Sequence, residues 1–395
     1  MKWSNKGHEF DDIGYLLKDK KHIFLYGAVE TTKETIELIH ALRKWIDWEI
    51  HIVDRSIEKQ QSGMCGYPVI SPQTFFEMKK ENYFVVICAT GNAEKQIREL
   101  IEENLESNVL LFSHFYFFYT YLSIYFVYMH DMVFFVSENM LPSTVCNLNC
   151  RDCLNFTPYI KKHHIAPLDE LKYNIDAFFH AVDLIYRFQI TGGEPLLYKH
   201  LQELLTYIDD RYGNQILRLE MVTNGTVVPS DSLCQFLHEK NIYVFLDDYR
   251  MSLPEGAEKY DKVKAQLEKY NVAFCNNYAE QWIRMYIPEQ KKNQLSENEL
   301  VQKYHICDNP WCSLREGKIS SCNYAMYAET AGICQAEENE YYDLTQFNKE
   351  DKKRLIEFRL RYNEKGYTEF CKMCNSWTAT NTQWCQPAIQ CKKGE

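Results

Sequence analysis

Three thiols fall within eight residues at Cys146-Asn-Leu-Asn-Cys150-Arg-Asp-Cys153. Structural zinc takes four protein ligands, so a loop offering three points to a metal centre that keeps one position open for chemistry. A [4Fe–4S] cube with one iron not held by cysteine has that property. A zinc knuckle completed by His163 or His164, or plain reduced thiols, are the other readings of the loop. Farther along the chain reads Gln189-Ile190-Thr191-Gly192-Gly193-Glu194-Pro195. Adjacent glycines leave backbone groups uncovered, so a small zwitterion can find peptide hydrogen-bond partners there, and Glu194 adds a negative charge. Such a segment alone is also what an ordinary strand-ending turn looks like.

A second set of thiols lies near the C-terminus. Cys307, with Cys312 as a competitor for the same role, precedes Gly317 and Cys322, and Cys371-Lys-Met-Cys374 follows. A Cys-x2-Cys turn presents two sulfurs on one side, so two separated cysteine groups can converge on one cube; a structural zinc site is the alternative. Cys65, Cys88, Cys234, Cys275 and Cys334 have no ligand spacing and read as buried small hydrophobes. His163-His164 follows two lysines and reads as a solvated loop, as does Glu337-Glu338-Asn339-Glu340. Asp247 and Asp248 close a strand-like run, where they contact substrate or ribose, or simply begin a loop.

These residues need a scaffold, and the hydrophobic pattern supplies one. Residues 138 to about 290 alternate strand-like runs (MLPSTV, YRFQIT, LRLEMVT, IYVFLDD, VAFCNN) with helical patterns. One helix runs from Leu171 to Ile185, with an apolar stripe that also includes Ile175, Phe178, Phe179 and Val182. Residues 22 to 112 alternate in the same way around HIFLY, EIHIVD, YFVVICA and NVLLF, the pattern of a small Rossmann-like unit. Its first loop reads Gly27-Ala28-Val29-Glu30, with one glycine and an acidic side chain, which disfavours tight diphosphate binding; Asp54 ends the second strand, where a ribose or a turn is expected. Between the two series, residues 107 to 130 carry no Asp, Glu, Lys or Arg and are long enough to cross a bilayer. Five tyrosines there would need hydroxyl partners in hydrocarbon, so an aromatic connector helix wedged between domains is favoured over membrane contact. The expected division is 1–112, a connector at 113–137, a core at 138–300 and a cysteine-rich region at 301–395.

The 395 residues, 46% of them hydrophobic, suffice for more than one packed core. A formal charge of −11, from 44 basic and 55 acidic side chains, disfavours nucleic acid as a partner. Fifteen cysteines with no apolar secretory segment in MKWSNKGHEFDD point to a reducing cytoplasm and metal ligation.

Taken in order on these elements, the Cys-x3-Cys-x2-Cys loop, the Gly-Gly-Glu-Pro segment and Val222-Thr223-Asn224-Gly225-Thr226 resemble the radical S-adenosylmethionine superfamily over residues 138 to about 290. The resemblance implies an α/β fold with a partial (β/α) barrel. It also implies that Cys146, Cys150 and Cys153 hold three irons of a [4Fe–4S] cluster while the fourth binds S-adenosyl-L-methionine. Gly192, Gly193 and Glu194 would hold its amino group, with Thr223 and Asn224 at the family's Thr-Asn-Gly strand ending. The residue before the third cysteine, often an aromatic that backs the adenine, is here Asp152. The spacing of Cys307 or Cys312, Gly317, Cys322, Cys371 and Cys374 is similar to the SPASM or twitch region and implies one auxiliary [4Fe–4S] cluster. Expected with these are a reducing partner such as flavodoxin or ferredoxin, and oxidation or epimerisation of a carbohydrate or nucleotide-sugar-linked substrate. Peptide maturation and a non-catalytic iron–sulfur or zinc protein are the alternatives.

Overall fold

The computed structural model describes residues 1–105, 109–288, 294–378 and 380–391. It divides into two compact units, Phe10–Val136 and a second formed by Met1–Glu9 with Ser137–Glu395.

In the Phe10–Val136 unit, β-branched and aromatic runs form β1 (His22–Tyr26), β2 (Glu49–Val53), β3 (Val69–Ile70), β4 (Tyr83–Ile87) and β5 (Leu111–Ser113). They pair in parallel in the order β3-β2-β1-β4-β5. The order reverses beside β1, as in doubly wound sheets, and α1 (Glu30–Ala41), α2 (Ile57–Ser62), α3 (Pro72–Glu77) and α4 (Asn92–Asn104) make the crossovers. The two-residue β3 carries no periodic signal and is absent from the sequence reading. Of the expected strand 108–112, Asn108 lies outside the described residues, as does Ser107 of the uncharged stretch.

The aromatic stretch belongs to this unit instead of joining two. It is helical as α5 (His114–Tyr116), a π-helical turn Phe117–Tyr121 and α6 (Leu122–Met129). Phe117 packs against Trp48 and Phe84, and Tyr125 against Trp48. The Tyr121 hydroxyl donates to Ile13 O at 3.0 Å and that of Tyr128 to Asp11 Oδ1 at 2.7 Å, so these phenols find partners inside protein. Among the described residues no helix is long and apolar enough to cross a membrane.

The second unit is built on one eight-stranded sheet. Its strands are β6 (Phe134–Met140, the first three residues assigned to the other unit), β7 (Leu184–Ile190), β8 (Ile216–Thr223), β9 (Tyr243–Asp247), β10 (Phe274–Asn277), β12 (Ser313–Arg315), β13 (Lys318–Ser320) and β14 (Tyr341–Asp343). A separate antiparallel pair joins β11 (Trp282–Ile283) to β15 (Trp384–Cys385). The order is β10-β9-β8-β7-β6-β12-β13-β14, parallel from β7 to β10 and antiparallel from β12 to β14. The helices are α7 (Leu168–Ala181), α8 (Leu201–Tyr212), α9 (Asp231–Glu239), α10 (Ala257–Lys269), α11 (Glu297–His305), α12 (Asn323–Thr330) and α13 (Lys352–Arg359). The C-terminal cysteine-rich region thus extends the core sheet.

Two boundaries differ from expectation. The first strand precedes MLPSTV: the fully buried Phe134–Met140 is the strand, and Pro142 lies in the irregular chain after it. The helix expected to reach Ile185 stops at Val182, whose extended backbone caps α7, and Ile185 is the second residue of the fully buried β7.

Candidate functional site

Residues 141–165 form the loop after β6, at the carboxyl edge of the parallel strands, where α/β sheets gather their chemistry. The Gly192–Glu194 segment after β7 runs directly beside it. Gly193 N–H donates to Ser143 O and Glu194 N–H to Val145 O, both at 2.9 Å. A Cβ on Gly193 would meet Val145 O at 2.0 Å, and one on Gly192, whose φ is +140°, would meet Ser143 O at 2.5 Å. The glycines are therefore required by the approach of two chain segments. Of this segment's backbone groups, the Gly193 and Glu194 amides are thus bonded within the protein, and Gly192 O accepts from Asn155 Nδ2.

Glu194 is not an exposed charge. It is 1% exposed, and its carboxylate accepts from Asn224 N–H at 2.8 Å, Thr223 Oγ1 at 2.9 Å and Leu196 N–H at 3.1 Å. Burial, partly offset by these bonds, raises its pKa to about 7. Glu194 and Thr223 clasp the ends of β7 and β8, while Asn224 reaches on: its Nδ2 lies 3.6 Å from Cys146 Sγ and 3.0 Å from Asn147 Oδ1.

Cys146, Cys150 and Cys153 line one cavity of about 370 Å³ together with Gly192, Gly193, Glu194 and Asn224. The same cavity is walled by Asn139 of β6, Arg187 and Gln189 of β7, Val222 of β8, Phe245 and Asp247 of β9 and Asn277 of β10, so the sheet curves around it. Hydrogen-bond donors face the sulfurs: Leu148 N–H lies 3.4 Å from Cys146, and Gln390 Nε2 lies 3.3 Å from Cys150. Gln390 also accepts from Asn149 N–H at 2.6 Å, and Cys391 N–H donates to Asn149 O. The segment 388–391 thereby fastens the three-cysteine loop. No sequence spacing signalled this, because the partners stand 240 residues apart.

Asp152 turns away into an ion pair with Arg284, its Oδ1 2.8 Å from Nε. Tyr249 and Trp282, in edge contact at 5.5 Å, pack with Cys150 and Cys153. Asp247 faces the cavity and accepts from Asn277 Nδ2 at 2.6 Å and Tyr249 OH at 2.8 Å; burial raises its pKa to about 6. Asp248 is clamped by Arg250 at 2.8 Å, and this bond lowers its pKa. Arg187, Gln189, Arg218 and Glu220 went unremarked in the sequence, although polar residues at every second place in apolar strands are the mark of a lined interior. Gln189 Nε2 donates to Glu220, and the Arg187 guanidinium lies 5.0 Å from the Trp311 ring.

The C-terminal thiols divide cleanly. Cys307, Cys322, Cys371 and Cys374 line a second, small chamber with Tyr304 and Phe370. Cys312 does not join them: it is fully buried beside Arg359 and Glu138, which removes it from the competition with Cys307. Tyr324 and Cys322-Asn323 stand between the chambers, since Tyr324 lines both and Asn323 lines the larger.

Burial holds the Cys146 thiol up at about 11 and those of Cys150 and Cys322 at about 12, with Cys371 and Cys374 also raised. Bare thiols here stay protonated at neutral pH and become good ligands when a metal centre binds and their protons are released to solvent. Among the described residues, only His22, Glu49 and His51 bring three or more His, Cys, Asp or Glu ligand atoms within 4.8 Å of one another. Both cysteine sets are therefore spread wider than the roughly 3.8 Å that Zn–S bonds of about 2.3 Å impose around one tetrahedral zinc. All-sulfur donors at wider spacing fit iron–sulfur clusters, three ligands in one chamber and four in the other.

His163 and His164 are exposed, near Thr144 and Glu170. Cys88 and Cys234 are buried, Cys275 and Cys334 partly so, while Cys65 is exposed in a turn with φ of +51°, contrary to the buried reading. Glu340, read as part of a solvated loop, is 1% exposed and accepts from Glu369 N–H at 2.9 Å. Asp54 accepts from Ala28 N–H at 2.6 Å and Ser56 N–H at 2.8 Å, which makes it the clasp between two strand ends.

Residues 140–271, the segment from the end of β6 through α10, match the sequence model of the Radical SAM superfamily. No curated protein matches the chain. Solved structures with similarity include anSMEcpe with bound AdoMet, at 24% identity and a TM-score of 0.31, covering 36% of this chain and 43% of that one. BtrN in complex with AdoMet and 2-DOIA aligns at 17% identity and 0.38, covering 63% and 96%. Streptococcus suis SuiB bound to precursor peptide SuiA aligns at 17% and 0.27, covering 44% and 42%. The chain thus spans less than half the length of anSMEcpe.

Proposed function

We propose, with residues 140–271 as a radical SAM domain, that this chain is a cytoplasmic enzyme that oxidises a carbohydrate or nucleotide-sugar-linked alcohol. When bound, S-adenosylmethionine at a three-cysteine [4Fe–4S] cluster supplies a 5′-deoxyadenosyl radical that removes a substrate hydrogen atom, and a second cluster supplies a one-electron acceptor. Cys146, Cys150 and Cys153 would hold the first; Cys307, Cys322, Cys371 and Cys374 would hold the second. A low-potential donor of the flavodoxin or ferredoxin class completes the system.

The observation that carries the reading is the wall of the larger cavity. Trp282, Trp311 and Trp377 offer apolar faces, while Asn139, Asn277 and Asp247 offer donors and acceptors between them. A polyhydroxylated ring, with apolar C–H faces and a rim of hydroxyls, matches that mixture. Arg187 adds a cation for a carboxylate or phosphate on the same substrate. Oxidation of an alcohol removes one hydrogen atom, one electron and one proton. Asp247 is placed to take the proton: with a pKa of about 6 it is a carboxylate at neutral pH and held by Asn277 and Tyr249. Tyr324, shared between the chambers, keeps them a single side chain apart, which favours oxidation over epimerisation.

The test is label transfer. Sugars and nucleotide sugars carrying deuterium at each ring carbon are incubated anaerobically with reconstituted protein, reductant and S-adenosylmethionine, and deuterium in 5′-deoxyadenosine is measured. Transfer from a sugar position with formation of the carbonyl supports the proposal; transfer only from a peptide overturns the substrate class.

A further inference from the structure

At the amino edge of the Phe10–Val136 sheet, remote in sequence from both cysteine sets, three ligand-type side chains meet. Parallel pairing sets His22 of β1 opposite Glu49 of β2 and Phe24 opposite His51. Side chains alternate along a strand, so Glu49 and His51 share a face with their partners on β1. The result is a triangle: His22 Nδ1 lies 3.2 Å from His51 Nε2 and 3.3 Å from Glu49 Oε2, and His51 Nε2 lies 3.8 Å from Glu49 Oε1.

We infer that His22, Glu49 and His51 form a zinc site, with the fourth position open to solvent on the side of the exposed Glu49. On a tetrahedral zinc with bonds of about 2.0–2.1 Å to nitrogen and oxygen, ligand atoms stand roughly 3.3 Å apart; both contacts of His22 Nδ1 match that edge, and His51 Nε2 makes a longer approach to the other Glu49 oxygen. Two imidazoles and a carboxylate are a donor set that zinc accepts. The His51 ring is already oriented, stacked on Phe24 with centroids 4.6 Å apart and planes 18° from parallel. The site tethers β1 to β2 at the end of the sheet opposite the Gly27 and Asp54 loops. It does not depend on the function proposed above.

The experiment uses the full chain with its iron–sulfur clusters reconstituted, so that the cysteines are occupied. Protein is equilibrated with zinc chloride, freed of loose metal by gel filtration and assayed by plasma mass spectrometry. The wild type is expected to retain about one zinc per chain more than His22→Gln or His51→Gln, with an X-ray absorption shell of nitrogen and oxygen at about 2.0 Å. Equal zinc in wild type and both variants, or a shell made only of sulfur, overturns the inference. Should His51→Gln disturb folding through the lost ring stack, Glu49→Gln at its exposed position gives the same decision. Its zinc affinity should fall at least about tenfold, the lower end of what even outer-shell losses cost, and unchanged affinity overturns the site.

Discussion

Glu194, Asp247 and Glu340 are carboxyls that burial pushes upward, and their neighbours give each a different consequence. Asp247 faces the cavity, so Asp247→Asn should lower substrate oxidation at least about 100-fold, the low end for a lost general base, while uncoupled formation of 5′-deoxyadenosine persists. In the wild type the rate should climb as pH rises through about 6, because the base must be ionised; a profile flat across that range contradicts the role. Glu340 is silent in chemistry and shows in stability. Its pKa in the folded chain is about 7 against an ordinary 4.5, so the native state binds more protons in that interval and its stability falls as pH rises through it. Glu340→Gln should flatten that dependence and stabilise the protein at pH 7.5 by on the order of 1–3 kcal/mol in denaturant titrations. The cysteine motif was legible because ligand spacing within one loop is local. Gln390 was not, since a donor to the Cys150 sulfur 240 residues away leaves no pattern. Gln390→Leu should make the reduction potential of the cluster at Cys150 more negative, as loss of a sulfur hydrogen bond does, and an unchanged potential in a redox titration counts against its influence.

Strand and helix identity was legible wherever one side is buried and the pattern is periodic: HIFLY became β1 residue for residue, and LRLEMVT all of β8 but its first residue. Ends were less so. The aromatic segment read as a connector because it is apolar all round, yet Trp48 and Phe84 of the preceding sheet provide its partners, a tertiary fact that composition does not encode. The short β12, β13 and β14 carry three residues each, too few for a period of two to register. At this scale the sharpest expectation concerns the junction of the β6 and β7 loops. Gly193→Ala places a methyl group into Val145 O, so the cysteine loop must shift. Reconstituted variant should hold about four irons per chain against about eight in the wild type, with the second cluster kept.

At the scale of the whole second unit, the eight-stranded sheet lines the larger chamber. Its parallel strands end at the three-cysteine loop, and its antiparallel extension leads to Cys322 at the head of α12. Loss of Cys146, Cys150 and Cys153 should therefore remove one cluster and leave the other, whereas a single shared site would lose all its iron. The most direct measurement is electron–nuclear double resonance of the dithionite-reduced protein with S-adenosylmethionine carrying magnetic oxygen and nitrogen isotopes on its methionyl carboxylate and amine. Hyperfine coupling to both labels in the wild type, absent in the Cys146/Cys150/Cys153 alanine variant, is the expected result. A reduced cluster with no coupling to either label, or a fourth protein side chain on its open iron, contradicts it.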